Sequence, residues 1–70
     1  MKTTVYHIHD SKTGQKLAEL YAMPSEAKRI EALSAKTPEG HVTTNELGEI
    51  DCASRGLLEM LPKSIYLVAV

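Results

Sequence analysis

Apolar and polar positions alternate along the first third of the chain, and that period of two predicts strands. Lys2 to His9 interleaves Val5, Tyr6 and Ile8 with polar side chains, and Gln15 to Ala22 repeats the pattern. Between them, Asp10, Ser11, Lys12, Thr13 and Gly14 supply turn chemistry: short polar side chains that bond to nearby backbone, and a glycine free to take the left-handed conformation. The two runs therefore form a β-hairpin. On one face Tyr6 and Ile8 meet Ala18 and Leu20; on the other Val5 and His7 meet Leu17, Glu19 and Tyr21. Either face can be the inner one.

The period then changes. Ala27, Ile30 and Leu33 recur every three residues behind Pro24, Ser25 and Glu26, which are suited to a helix start, so a helix runs from about Pro24 to Lys36. Thr37-Pro38-Glu39-Gly40 breaks it. His41 to Thr44 reads as a short strand, and Asn45 to Gly48 as a loop or turn. A second helix is capped by Asp51 or Ser54, carries an apolar stripe of Ala53, Leu57, Leu58 and Leu61, and ends at Pro62. The last run, Ile65 to Val70, is apolar at every step, as expected of a strand buried on both faces. These elements predict one α+β domain of order ββαβαβ over residues 1–70, its helices packed on an antiparallel-rich sheet.

Composition narrows the class. With 43% hydrophobic and 24% charged residues the chain is ordinary for a globular protein, and its only aromatic residues with large rings are Tyr6, Tyr21 and Tyr66, so the core is aliphatic. The single cysteine, Cys52, has no internal disulfide partner, which points to a reducing compartment. No signal-like segment or membrane-length apolar run occurs, so a cytoplasmic location is expected. The net charge of −1 is unevenly divided. Residues 1–36 carry +2 and residues 37–70 carry −3, and Glu46, Glu49 and Asp51 fall within six positions. Such a density of carboxylates repels a phosphate backbone and attracts a basic protein surface.

Candidate chemistry is sparse. His7 and His9 share a strand face, and His-x-His is a chelating spacing that His41, Asp10 or Cys52 would have to complete. Cys52 beside Asp51 and a histidine is a conceivable nucleophile, but 70 residues leave little volume for a substrate pocket once a core is built. Cys52 reads instead as a small buried hydrophobe. Ser11-Lys12-Thr13-Gly14 lacks the glycine spacing of a phosphate-binding loop. No metal, cofactor or enzymatic activity is expected.

Two resemblances follow. Thr44 to Leu61 resembles a helix-turn-helix. Thr44-Asn45-Glu46-Leu47-Gly48-Glu49 stands as its first helix, Ala53-Ser54-Arg55 as the turn and the start of a recognition helix, and Leu58 and Leu61 occupy apolar positions. Asp51 and Cys52 depart from that pattern, and Arg55 is the one cation the second helix offers to DNA. In size and layout the chain resembles the small inhibitors of phages and mobile elements, anti-CRISPR proteins among them. That resemblance implies a non-enzymatic blocker that presents carboxylates to a basic, nucleic-acid-handling surface of a partner protein. Glu39, Glu46, Glu49, Asp51 and Glu59 are the candidate contacts, with Tyr6, Tyr21 or Met60 as anchors. The alternatives are a winged helix-turn-helix regulator that binds DNA directly, and a self-associating module, a homodimer in which the last strand pairs across copies.

Overall fold

The computed structural model describes residues 2–50 and 53–70, so the readings placed on Asp51 and Cys52 lie outside it. Strands β1 (Thr4–Asp10), β2 (Lys16–Ala22), β3 (His41–Thr43) and β4 (Ser64–Ala69) form one antiparallel sheet in the order β2-β1-β4-β3. Helix α1 (Pro24–Ser34) follows the hairpin, and α2 (Thr44–Gly48) and α3 (Arg55–Met60) lie between β3 and β4. The α+β class and the predicted order of strands and main helices are those observed.

Local chemistry places each boundary. In the hairpin turn the Asp10 carboxylate accepts a 2.8 Å bond from the Lys12 amide, and the Gly14 amide donates to the Asp10 carbonyl at 2.8 Å. Gly14 takes φ 75°, the left-handed conformation that this closure needs. The register slips once, between Ile8 and His9, so that Ile8 faces Ala18 while His9 faces Lys16. Ser11 then ties the turn to β4, its hydroxyl 2.8 Å from that of Ser64. Proline opens α1, where a missing amide costs nothing, and the Glu26 carboxylate reaches back to accept from the Met23 amide at 2.8 Å.

The stretch Asn45 to Gly48, a loop or turn in one reading and the first helix of the helix-turn-helix in the other, is helical. Thr43 caps it: its hydroxyl accepts from the Glu46 amide at 3.2 Å, while the Glu46 carboxylate accepts from the Thr43 amide at 3.0 Å. This is a reciprocal capping box, and Thr-Thr-Asn-Glu is its sequence signature. Ser54 caps α3, accepting from the Leu57 amide at 3.2 Å.

The core has one side. Tyr6, Ile8, Leu20, Ala22, Val42 and Ile65 from the strands meet Ala27 and Ile30 of α1, Leu47 of α2, and Ile50. Leu57 and Leu58 pack on this cluster while remaining partly exposed. The hairpin question is thereby decided: Tyr6, Ile8, Ala18 and Leu20 point inward.

The terminal strand differs from its expected burial. It is central in the hydrogen-bonded order, between β1 and β3, yet only Ile65 is fully buried; Tyr66 is half-buried and Val68 is 44% exposed. The helices contribute to one cluster on one face, so alternate residues of β4 point away from it. An apolar run marked a central strand, but not one covered twice.

Candidate functional site

The uncovered face of the sheet is built by alternation from the residues whose neighbours fill the core. β1 contributes Val5, His7 and His9; β2 contributes Glu19 and Tyr21; β4 contributes Tyr66 and Val68. His41 of β3 stands opposite Tyr66. Register aligns these side chains in rows: His9, Tyr66 and His41 in one, Glu19, His7 and Val68 in the next, Tyr21 and Val5 in a third.

The first row is a file of rings. His9 and Tyr66 stack at 5.0 Å with 8° between their planes, Tyr66 and His41 lie 6.2 Å apart, and His7 stands 6.3 Å from His9. The His9 Nδ1 lies 2.9 Å from the Gly14 carbonyl, which fixes that ring against the turn. Three histidines are thus gathered on one surface, with Tyr66 interposed between His9 and His41. Among the described residues no three metal-ligating side chains stand close enough together to hold a metal ion.

Lys16 and Glu19 form the charged pair of this face, with Nζ 2.9 Å from Oε1. The Lys16 ammonium holds the Glu19 carboxyl below the ordinary value of 4.5, aided by the Tyr21 hydroxyl, which donates to it at 3.3 Å. His7 Nε2 lies 3.9 Å from the same carboxylate. Beyond that pair and the three imidazoles, the strand positions of this face are mostly apolar. Of the six exposed large apolar side chains among the described residues, Leu17, Tyr21, Val68 and Val70 belong to it by the same alternation.

The carboxylates read as partner contacts are placed differently from one another. Glu46 is part of the α2 cap; the Thr43 amide, then the Thr43 hydroxyl, hold its carboxyl below 4.5, with Lys36 Nζ 3.6 Å away. Glu49 is exposed, and its carbonyl accepts from Arg29 Nη2 at 3.0 Å. Glu49 and Glu59 border a surface hollow of about 480 Å³ between α2 and α3, shared with Arg55 and floored by Ala53 and Leu58. Glu39 is exposed in the connection before β3. Arg29 of α1 and Lys36, just beyond its end, thus bring cations to the segment in which these carboxylates are crowded together in sequence.

The candidate anchors also separate. Tyr6 is 4% exposed and belongs to the core, because even-numbered residues of β1 face the helices. Tyr21 is 61% exposed on the open face, and Met60 is 83% exposed on α3. The helix-turn-helix resemblance gains a helix at Thr44–Gly48 and a contact at its small residue, since a methyl group added at Gly48 would meet Leu58 Cδ1 at 3.1 Å. Its second helix spans six residues and presents one cation, Arg55, and one anion, Glu59.

Sequence reasoning placed His7, Glu19 and Tyr21 on a common face. It missed Tyr66 and His41, which join them only through the β1–β4 and β4–β3 pairings. Comparison with protein-family models, with curated proteins and with solved structures gives no match. No helix among the described residues is long and apolar enough to cross a membrane.

Proposed function

We propose that this chain is a small, non-enzymatic protein-binding module whose contact surface is the open face of its sheet. The observation that carries the reading is the gathering of Leu17, Tyr21, Val68 and Val70 beside a file of rings on a face with a single, internally compensated charge pair. Apolar groups rimmed by polar ones mark contact surfaces, and tyrosine is favoured there because it buries a large area with few torsions to freeze. The stoichiometric blocker suggested by size and layout is a module of this kind.

A second reading keeps the basic-surface partner. Glu49 and Glu59 flank the same hollow, and the exposed Met60 lies next to Glu59 as an apolar anchor. Glu46 is a poor probe of that reading because its loss also uncaps α2. Capture of partners from lysate by wild type, Tyr21→Ala with Val68→Ala, and Glu49→Gln with Glu59→Gln separates the two. Loss of a stoichiometric partner with the first pair alone supports the open face. Loss with the second pair alone overturns it in favour of the acidic end. A salt-sensitive shift of duplex DNA, lost on Arg55→Ala, would overturn both in favour of the regulator.

A further inference from the structure

We infer that β4 carries a second binding site, independent of the open face: its free edge beyond β3 takes an extended peptide that bears an apolar and a cationic side chain on the same side.

The edge follows from bond directions. The Val70 amide donates to the Val5 carbonyl, and the Ser64 carbonyl accepts from the Ser11 amide, so even-numbered residues along β4 turn their backbone groups toward β1. The Lys63 carbonyl accepts from the Thr44 amide, so odd-numbered residues turn theirs toward β3. Pairing with β3 stops at Tyr66, opposite His41. Gly40, the next residue on the β3 line, directs its amide to the Thr37 carbonyl at 3.1 Å instead. The Leu67 carbonyl and the amide and carbonyl of Ala69 therefore face no strand, and no described residue bonds to them from that side. A strand that is central along its first half is an edge along its second.

A row of backbone donors and acceptors is answered by another backbone, which is how an added strand binds. What stands beside the edge defines that strand further. A hollow of about 360 Å³ is lined there by Tyr6, Ile30, Leu67 and Ala69, with Glu31 and Ser34 of α1 on its border. The apolar part suits one aliphatic side chain. The border is negative: Glu31 is exposed and forms no ion pair with a described residue, and the last turn of α1 carries no basic side chain to offset its carbonyls. Lys36, just beyond, is engaged by Glu46 at 3.6 Å. Residues two apart in an extended chain share a side, so the occupant carries its apolar group and its cation at i and i+2.

The probe is an acetylated and amidated Thr-Ile-Thr-Lys-Thr peptide, followed through the amide chemical shifts of the whole isotope-labelled chain. Saturable shifts at Leu67 and Ala69 are expected, with a dissociation constant of about 0.1 to 1 mM, since a few backbone bonds and one hollow offset the ordering of the peptide. Ala69→Pro removes an amide that no strand of the fold uses, and is expected to weaken binding at least about tenfold with an unchanged circular dichroism spectrum. Glu31→Gln should weaken it about two- to fivefold, as loss of one exposed ion pair does. The same peptide N-methylated at every residue keeps its side chains and loses its donors. It is expected not to bind, and this comparison carries the test where Ala69→Pro alters the fold. Equal binding of the N-methylated peptide, equal binding of a counterpart with glutamate in place of lysine, or no shift at Leu67 and Ala69 up to about 5 mM peptide overturns the inference. Shifts of these amides on dilution of the chain alone would also overturn it, by placing a second copy at the edge.

Discussion

Glu46 shows how one residue type can be read two ways from sequence and resolved by its hydrogen bonds. Its carboxylate accepts from the Thr43 amide and hydroxyl, both at 3.0 Å, before any partner is considered. Thr43→Ala should therefore cost about 0.5 to 2 kcal/mol, as removal of a cap does, seen as a lower urea midpoint with an unchanged slope. The same bonds predict a pH dependence. Glu46 and Glu19 both have carboxyls held below 4.5 in the fold, Glu46 chiefly by the Thr43 amide and Glu19 chiefly by Lys16. The folded chain thus binds protons less readily than the unfolded one. The stabilisation is complete above pH 4.5 and is lost as pH falls through the lowered folded values. Denaturation midpoints at a series of pH values should decline in that acid range, and less steeply in Thr43→Ala. Because the Glu19 side chain is exposed and that of Glu46 partly so, salt should flatten the decline.

At the scale of elements, β4 separates the core from the open face within one strand. Ile65 is fully buried and Val68 is 44% exposed, so Ile65→Ala should destabilise by about 2 to 5 kcal/mol, whereas Val68→Ala should stay within about 0.5 kcal/mol. In a domain this small each kcal/mol shifts the melting midpoint by about 4 to 8 °C, so thermal scans resolve the contrast. In the hairpin turn, Gly14→Ala should cost about 1 to 2 kcal/mol from its φ of 75° alone, because the added methyl would lie 3.6 Å from the Tyr66 hydroxyl, an ordinary contact. Much of this layer was legible in the sequence. Asp10 and Gly14 announced the turn, Pro24 and Glu26 the start of α1, and Ser54 and Pro62 the limits of α3. Helix α2 was legible only through the helix-turn-helix resemblance, because a five-residue helix has too few turns to show a period, although Thr43 and Glu46 carried its cap. The open face was only half legible. Alternation along β1 and β2 placed His7 with Glu19 and Tyr21, but Tyr66 and His41 reach that face through pairings between distant segments, which no local period encodes.

For the molecule as a whole, the one-sided core implies uneven local stability. The sheet is anchored by side chains such as Ile8, Ile65 and Val42, at most 2% exposed, whereas α2 buries only Leu47 and α3 buries none of its residues completely. Hydrogen exchange should be slowest at β1 and β4 and fastest in α2 and α3; uniform protection would contradict the packing described. The strand order β2-β1-β4-β3 has a separate consequence. Strands β1 and β2 come from the first part of the chain and β3 and β4 from the last, so β1 with β4 is the one strand pairing that joins them. A single cut between Pro38 and Glu39 would sever neither hairpin nor helix, and it would divide the charge into +2 and −3. The fold is in this sense two complementary peptides joined by a tether, and fragments 1–38 and 39–70 mixed in solution should find each other and rebuild the sheet along that seam.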